Sequence, residues 1–327
     1  MHEVESAVSS SDIRRLDCII WSAIAIVAIA VIFTAMSSSF VIVWSSFAKG
    51  AFVCVLLVLL SHFYRYIRKD EALAEALIGA SQVIAFASVA APLSYIAASV
   101  AFPLWDTELT RWDQLLGFHW LAWLAFMNAA PTLHIITKIA YGSFAVQTTA
   151  IVIALGMTRR VIHMRLFVLA LVATTIATIT VSAFIPAQGV WGAWHLSLSD
   201  APAIVPTTRD LPLGVFFGLR DGSYRLLVGD QAEGIISFPS LHAALGLLFI
   251  LALWPVRWLR WAGLTINLVM IAATPIEGSH YLTDVLAGLA IAALCWLAVK
   301  RKMVDRQEAN AEVAVCAVTE PEAPFMA

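Results

Sequence analysis

Apolar residues in this chain come in long, nearly unbroken runs, without the alternation or every-third-or-fourth spacing of a soluble fold. The first run covers roughly Cys18–Met36, with Arg14 and Arg15 just ahead of it. It is longer than the apolar region of a cleaved secretory signal and more runs follow, which predicts a retained first helix. Further runs lie within about 40–64, 72–101, 132–157, 163–186, 240–256, 259–276 and 281–299, the second with Lys49 blurring its start. Each is long enough, or nearly so, to cross ~30 Å of hydrocarbon. The pattern predicts an all-α fold, a polytopic membrane helical bundle of about eight transmembrane helices. Residues 102–130 break the rhythm, with Pro103, Asp106, Glu108, Arg111 and Asp113 interleaved among Trp105, Trp112, Trp120 and Trp123. That is the composition of a helix lying in the membrane interface.

Four regions follow from this pattern. Residues 1–17 form a polar N-terminal segment, and 18–131 hold accessory transmembrane helices with the interfacial helix. Residues 132–302 make the core, interrupted by an outer cap at 187–238. The Ala/Glu/Pro-rich tail 303–327 is expected to be disordered.

Charge sets the expected orientation. Arg14/Arg15, Arg65/Arg68/Lys69, Arg159/Arg160/Arg165, Arg257/Arg260 and Lys300/Arg301/Lys302 all fall on one side of an eight-span topology. The positive-inside rule makes that side the cytoplasm, with both termini in it. A bacterial inner membrane, with the opposite face toward the periplasm, is the expected location. His242 and His280 then enter their spans from the same outer side, although they are far apart in sequence.

The composition agrees with a lipid environment: 61% of residues are hydrophobic and 13% charged, against about 25% charged in an ordinary soluble domain. A net charge of −2 and the lack of a Lys/Arg-rich block argue against a nucleic-acid partner. Cys18, Cys54, Cys295 and Cys316 are widely separated and form neither a metal spacing nor a disulfide framework.

The candidate chemistry lies between Gly234 and Asp284. Phe238-Pro239-Ser240-Leu241-His242 opens one apolar span, and Glu277-Gly278-Ser279-His280-Tyr281-Leu282-Thr283-Asp284 opens another. Four residues along a helix return to the same face, so Asp284 is placed to bind one ring nitrogen of His280 and leave the other as a nucleophile or base. Two histidines and a carboxylate suit phosphoryl transfer through a phosphohistidine. His280 would attack phosphorus, and His242 would protonate the departing oxygen and then activate the acceptor. Charge on the equatorial oxygens needs donors. The candidates are the helix start at Ser240 and Leu241, the Ser240 hydroxyl, and the outer arginines Arg220, Arg225 and, third, Arg209. Plainer roles stand beside these. The histidines and Asp284 can simply satisfy one another, Arg220 can pair with Asp221 or Asp230, and Ser240 can be a helix-start residue. Lys138 can snorkel to the interface.

The two stretches, Phe-Pro-Ser-Leu-His-Ala-Ala and Gly-Ser-His-Tyr-Leu-Thr-Asp-Val-Leu-Ala-Gly, resemble the second and third motifs of the type 2 phosphatidic acid phosphatase superfamily. The branch holding inositol phosphorylceramide synthases, sphingomyelin synthases and their bacterial relatives is the most similar. The resemblance implies a six-helix membrane core, no cofactor and no metal requirement. It also implies a phospholipid, sphingolipid or isoprenoid phosphate as substrate. It assigns His280 as nucleophile positioned by Asp284, His242 as acid/base, and Ser240 to the phosphate pocket. The chain departs from the phosphatases where their Ser-Arg pair stands, carrying Ala273 and Thr274 there. It has no lysine between Lys138 and Lys300, and neither Arg209 nor Arg220 precedes a proline. These departures resemble the synthase branch and lean the expectation toward transfer to a lipid hydroxyl, with simple hydrolysis as the alternative. The contrasting class is a non-enzymatic transporter or scaffold. Transporter polar groups gather at the bilayer midplane, whereas these gather at one face.

Overall fold

A computed structural model describes residues 10–197, 199–207, 213–229 and 234–319, with side chains described to 305. Helices occur at all the predicted span positions. α1 covers Ser10–Ser37, and α2 covers Trp44–Phe63 and continues as a π-helical turn, Tyr64–Arg68. α3 covers Glu71–Ser99; Asp70 caps it by accepting from the Leu73 amide at 3.1 Å. α4 (Asp106–Leu115) and α5 (Trp120–Asn128) occupy the interfacial stretch. α6 (Pro131–Gly142) and α7 (Phe144–Met157) replace a single fourth span and meet at a 52° bend. Pro131 in the first turn of α6 suits a helix start. α8 covers Val161–Phe184. The cap contributes α9 (Val190–Ala193) and α10 (Leu213–Asp221), and the chain ends with α11 (Leu241–Leu253), α12 (Arg260–Glu277) and α13 (Leu282–Thr319).

The chain is thus a multi-pass, all-α membrane bundle, with the number of clear spans lower than eight. Among the described residues, five helices are long and apolar enough to cross a bilayer by themselves, and the bent pair α6–α7, counted as one span, makes a sixth. α11 has 13 residues, a rise of about 20 Å against ~30 Å of hydrocarbon. α13 runs to Thr319 where the composition predicts a disordered tail from 303. Its Glu, Arg, Gln and Ala residues are strong helix formers, and they extend a helix already nucleated by packing. Residues 320–327 lie outside the described residues.

Helix α8 runs through the main core, where Phe167, Val168 and Val172 pack with Phe86 of α3, Leu155 of α7 and Phe249 of α11. One end of the bundle is tied by ions. Arg165 of α8, 0% exposed, lies 2.6 Å from Asp17 of α1 and 2.5 Å from Glu75 of α3, and Arg65 reaches the other oxygen of Glu75 at 2.6 Å. This end collects three junctions that the charge pattern assigns to one side of the membrane. At the opposite end, two-residue strands β1 (Val41–Ile42) and β2 (Leu226–Leu227) pair in parallel, Val41 beside Leu226, and fasten the cap to the α1–α2 link.

Candidate active site

The local structure around His280 follows from Pro275. A proline within the last turns of α12 donates no backbone hydrogen bond, and its carbonyl accepts from the His280 amide at 3.2 Å as the chain turns away. The turn places Ser279 in the left-handed region, φ 59°, a conformation that costs a non-glycine residue roughly 1–2 kcal/mol. Two cap contacts hold it: the Val190 amide donates to the Ser279 carbonyl and the Trp191 amide to its hydroxyl, both at 2.9 Å. The cap can come this close because residue 189 is glycine, where a side chain would stand 2.6 Å from the Ser279 carbonyl oxygen. α13 begins directly afterwards with Asp284 in its first turn. Asp284 Oδ2 lies 3.1 Å from His280 Nδ1 and accepts from the Tyr281 amide at 3.0 Å and the Ser237 hydroxyl at 3.3 Å. With Nδ1 donating to this carboxylate, Nε2 carries the lone pair. The i, i+4 geometry expected from sequence is therefore formed, with His280 3% and Asp284 0% exposed.

His242 reaches the same place on α11. Ser240 caps that helix, its hydroxyl oxygen accepting from the Ala243 amide at 3.3 Å after a cis Phe238–Pro239 bond. The Ser240 amide donates to the Asp284 carbonyl at 3.0 Å, joining the two motifs through the backbone. The His242 ring stacks on Tyr141 of α6 at 4.0 Å and 16° and meets the edge of Phe144 at 4.8 Å. A methyl group placed on Gly278 would lie 2.6 Å from the Tyr141 hydroxyl and 2.8 Å from His280 Nε2. Both atoms therefore crowd one point, and Tyr141 links the two histidines.

Helices α4 and α5 do more than lie in the interface. Asp113, 3% exposed, accepts from the Leu282 amide at 2.8 Å, the Thr283 amide at 2.9 Å and the Thr283 hydroxyl at 2.6 Å. A carboxylate from one helix thus caps the start of another, where the helix dipole favours negative charge. Asp106 accepts from the amides of Gln188 at 3.2 Å and Gly189 at 3.1 Å and from the Tyr281 hydroxyl at 3.1 Å. Burial raises the Asp106 carboxyl above its usual range, and these hydrogen bonds oppose the shift. The Trp120 indole donates to the His280 carbonyl at 3.2 Å. Asp113→Ala should destabilise the fold by about 1–3 kcal/mol, seen as a lower unfolding temperature in detergent. An unchanged transition would remove the capping role.

The other sequence candidates are distributed as follows. Arg220 donates to the Phe102 carbonyl at 2.7 Å and lies over the Phe216 ring, and its Nη1 is buried without a hydrogen-bond partner among the described residues. Arg225 donates to the Leu219 carbonyl at 2.8 Å and lies over Phe40. Arg209 and Asp230 lie outside the described residues. Lys138 donates to the Val205 carbonyl at 2.8 Å. Thr274 donates to the carbonyl of Met270 in its own helix at 2.9 Å.

Sequence reasoning passed over Glu277. It is 0% exposed, lies 2.9 Å from His134, and accepts from Thr137 at 3.3 Å and from the Thr207 amide and hydroxyl at 3.1 and 3.0 Å. Its position directly after an apolar run, three residues before His280, was the available signal. Among the described residues, no group of three or more His, Cys, Asp or Glu side chains is arranged to hold a metal ion. A cavity of about 170 Å³ lies between α4, α5 and Trp194, with His119 and Tyr281 in its wall but neither His242 nor His280.

A family model described as the PAP2 superfamily matches residues 107–298, more than half of the chain and both histidine motifs. No curated protein and no solved structure matches the chain.

Proposed function

The chain belongs to the PAP2 superfamily, and on that premise we propose that it is a metal-independent lipid phosphotransferase working through a phosphohistidine on His280. Membership supports a phosphatase-type activity on lipid phosphates. The observation that carries the mechanism is the 3.1 Å contact between Asp284 and His280 Nδ1, which turns a free Nε2 toward the space shared with Tyr141 and His242.

In the first half-reaction the Nε2 lone pair forms an N–P bond and the P–O bond to the departing lipid breaks. His242 gives its proton to the leaving oxygen. In the second, His242 takes a proton from the acceptor hydroxyl, whose oxygen attacks phosphorus. The N–P bond breaks and its electron pair returns to Nε2. Asp284 holds the imidazole in the reactive tautomer and balances the positive charge that develops on it. The amides of Leu241 and His242 are first-turn donors that a helix leaves without internal partners, and with the Ser240 hydroxyl they supply an anion site. Arg220 is the favoured cation because its buried Nη1 has no hydrogen-bond partner among the described residues; Arg225 is next.

Two features favour a lipid hydroxyl over water as acceptor, as in the synthase branch. His280 and Ser240 are buried and His242 is walled by aromatic rings. The positions of the phosphatases' Ser-Arg pair hold Ala273 and Thr274, which offer no cation. We assign the site to the non-cytoplasmic face, supported by its distance along the bundle from the basic junctions around Arg65 and Arg165. A bacterial inner membrane facing the periplasm is the proposed setting.

The test uses purified protein in detergent with EDTA, a panel of phospholipid, sphingolipid and isoprenoid phosphates, and lipid hydroxyl acceptors. Transfer of the phosphate to the acceptor lipid, giving a new phosphomonoester from a monoester donor and a new phosphodiester from a phosphodiester donor, together with an acid-labile and base-stable label on the protein, is the expected result. Free phosphate despite acceptor lipid would mean hydrolysis. Activity lost with EDTA, or an acid-stable label, would overturn the mechanism.

A further inference from the structure

The geometry points to a further catalytic residue, Tyr141. We infer that its hydroxyl donates a hydrogen bond to an equatorial oxygen of the phosphoryl group while that group is bonded partly to His280 Nε2 and partly to the departing or arriving oxygen. This rests on the reading of His280 as nucleophile given above.

Three observations converge on the phenol. Its oxygen and His280 Nε2 lie within 2.8 Å of one point above Gly278, so they are separated by less than twice that distance. A phosphoryl group bonded to Nε2 has its oxygens in this interval. Next, Tyr141 is only 2% exposed, and its hydroxyl reaches the space beside Gly278 that it shares with His280. Buried tyrosine hydroxyls ordinarily find a partner, and a phosphoryl oxygen in this space would accept from it in the loaded enzyme. Finally, the ring is fixed, with the His242 imidazole stacked on its face at 4.0 Å and 16°. A donor held in place before the reaction needs no reorganisation when charge develops.

Such a donor supplements the first-turn amides of α11 and the Ser240 hydroxyl at a site short of cations. Ala273 carries no donor, and the Thr274 hydroxyl is committed to the Met270 carbonyl. Arg220 and Arg225 each already bond a backbone carbonyl and face an aromatic ring. A neutral phenol in a buried site carries no desolvation penalty of a charge, yet it strengthens as a donor when the oxygen opposite becomes more negative. Tyr141 donates without transferring its proton, so the proton balance remains with His242. Residue 278 must stay small for this arrangement, because a side chain there would occupy the space between the phenol and the imidazole.

Tyr141→Phe keeps the ring and its stacking on His242 and removes only the oxygen. The variant should lose about 100-fold in the rate of phosphoenzyme formation in a single turnover, with KM changed less than about twofold. Inhibition by orthovanadate, whose five-coordinate adducts mimic the transferring group, should weaken by a similar factor. Burst amplitude counts competent sites, so the rate constant remains readable if part of the sample is unfolded. Wild-type turnover with a dead His280→Gln control and an unaltered Tyr141→Phe rate would overturn this inference while leaving the nucleophile assignment standing. A raised KM with unchanged rate would also overturn it, since the phenol would then act in ground-state binding. A wild type inactive on every lipid phosphate, or an active His280→Gln, would instead sink the functional reading itself.

Discussion

His280→Gln should reduce turnover by roughly 10³–10⁶-fold, as expected when a covalent nucleophile is removed. Glutamine fills much of the imidazole's volume, and its amide can still donate to Asp284, so the local packing and the Asp284 contacts at 3.0–3.3 Å to Tyr281 and Ser237 should persist. The unfolding temperature should therefore stay close to that of the wild type, and the phosphoryl label on the protein should vanish. Asp284→Asn should be less damaging, about 10²–10⁴-fold, because the nucleophile remains while its tautomer and orientation are lost. Label retained on the His280→Gln protein would place the covalent chemistry elsewhere.

Gly288→Ala should impair stability and activity together. The added methyl would overlap the Ser240 carbonyl oxygen and stand 3.1 Å from its carbon. These are backbone atoms at the cap of α11, so rotamer change gives no relief. Helices α11 and α13 must separate, which breaks or lengthens the 3.0 Å bond from the Ser240 amide to the Asp284 carbonyl. Overpacking of this kind costs about 1–3 kcal/mol. A displacement near 1 Å between acid/base and nucleophile costs on the order of 10²-fold in rate. Thermal unfolding in detergent and single-turnover phosphoryl transfer measure the two effects. An alanine variant equal to the wild type in both would show that the helices tolerate a wider spacing.

The span positions were legible because a bilayer imposes a length on apolar runs, and the His280–Asp284 pair was legible because helix periodicity fixes i, i+4 neighbours. Gly288, the final residue of the quoted third motif, shows why that motif extends beyond its reactive side chains: the last position permits helix contact. Other features were hidden for definable reasons. Asp113 looks like an ordinary surface charge in a Trp-rich interfacial stretch; its role appears only once the start of α13, 169 residues away, is brought beside it. Tyr141 lies in an apolar run with no motif around it, and only the 52° bend between α6 and α7 marks that region as irregular. Glu277 was readable as a buried charge, but its partners His134, Thr137 and Thr207 come from distant segments. The 13-residue length of α11 was overestimated because Trp254, Val256 and neighbouring apolar residues extend the run past the helix end.

The ionic tie at Arg165 has a consequence for how this chain can be divided. The family match begins at residue 107, which would invite an excised catalytic unit from that point. Such a fragment would retain Arg165, wholly buried, and lose Asp17 and Glu75, both of its carboxylate partners. A guanidinium stranded that way costs several kcal/mol, and the cut would also remove Asp106 from the turn that carries His280. The start of the family match therefore cuts through ion pairs and hydrogen bonds that join the leading helices to the matched region, and a chain begun there should unfold at a lower temperature in detergent than the whole chain.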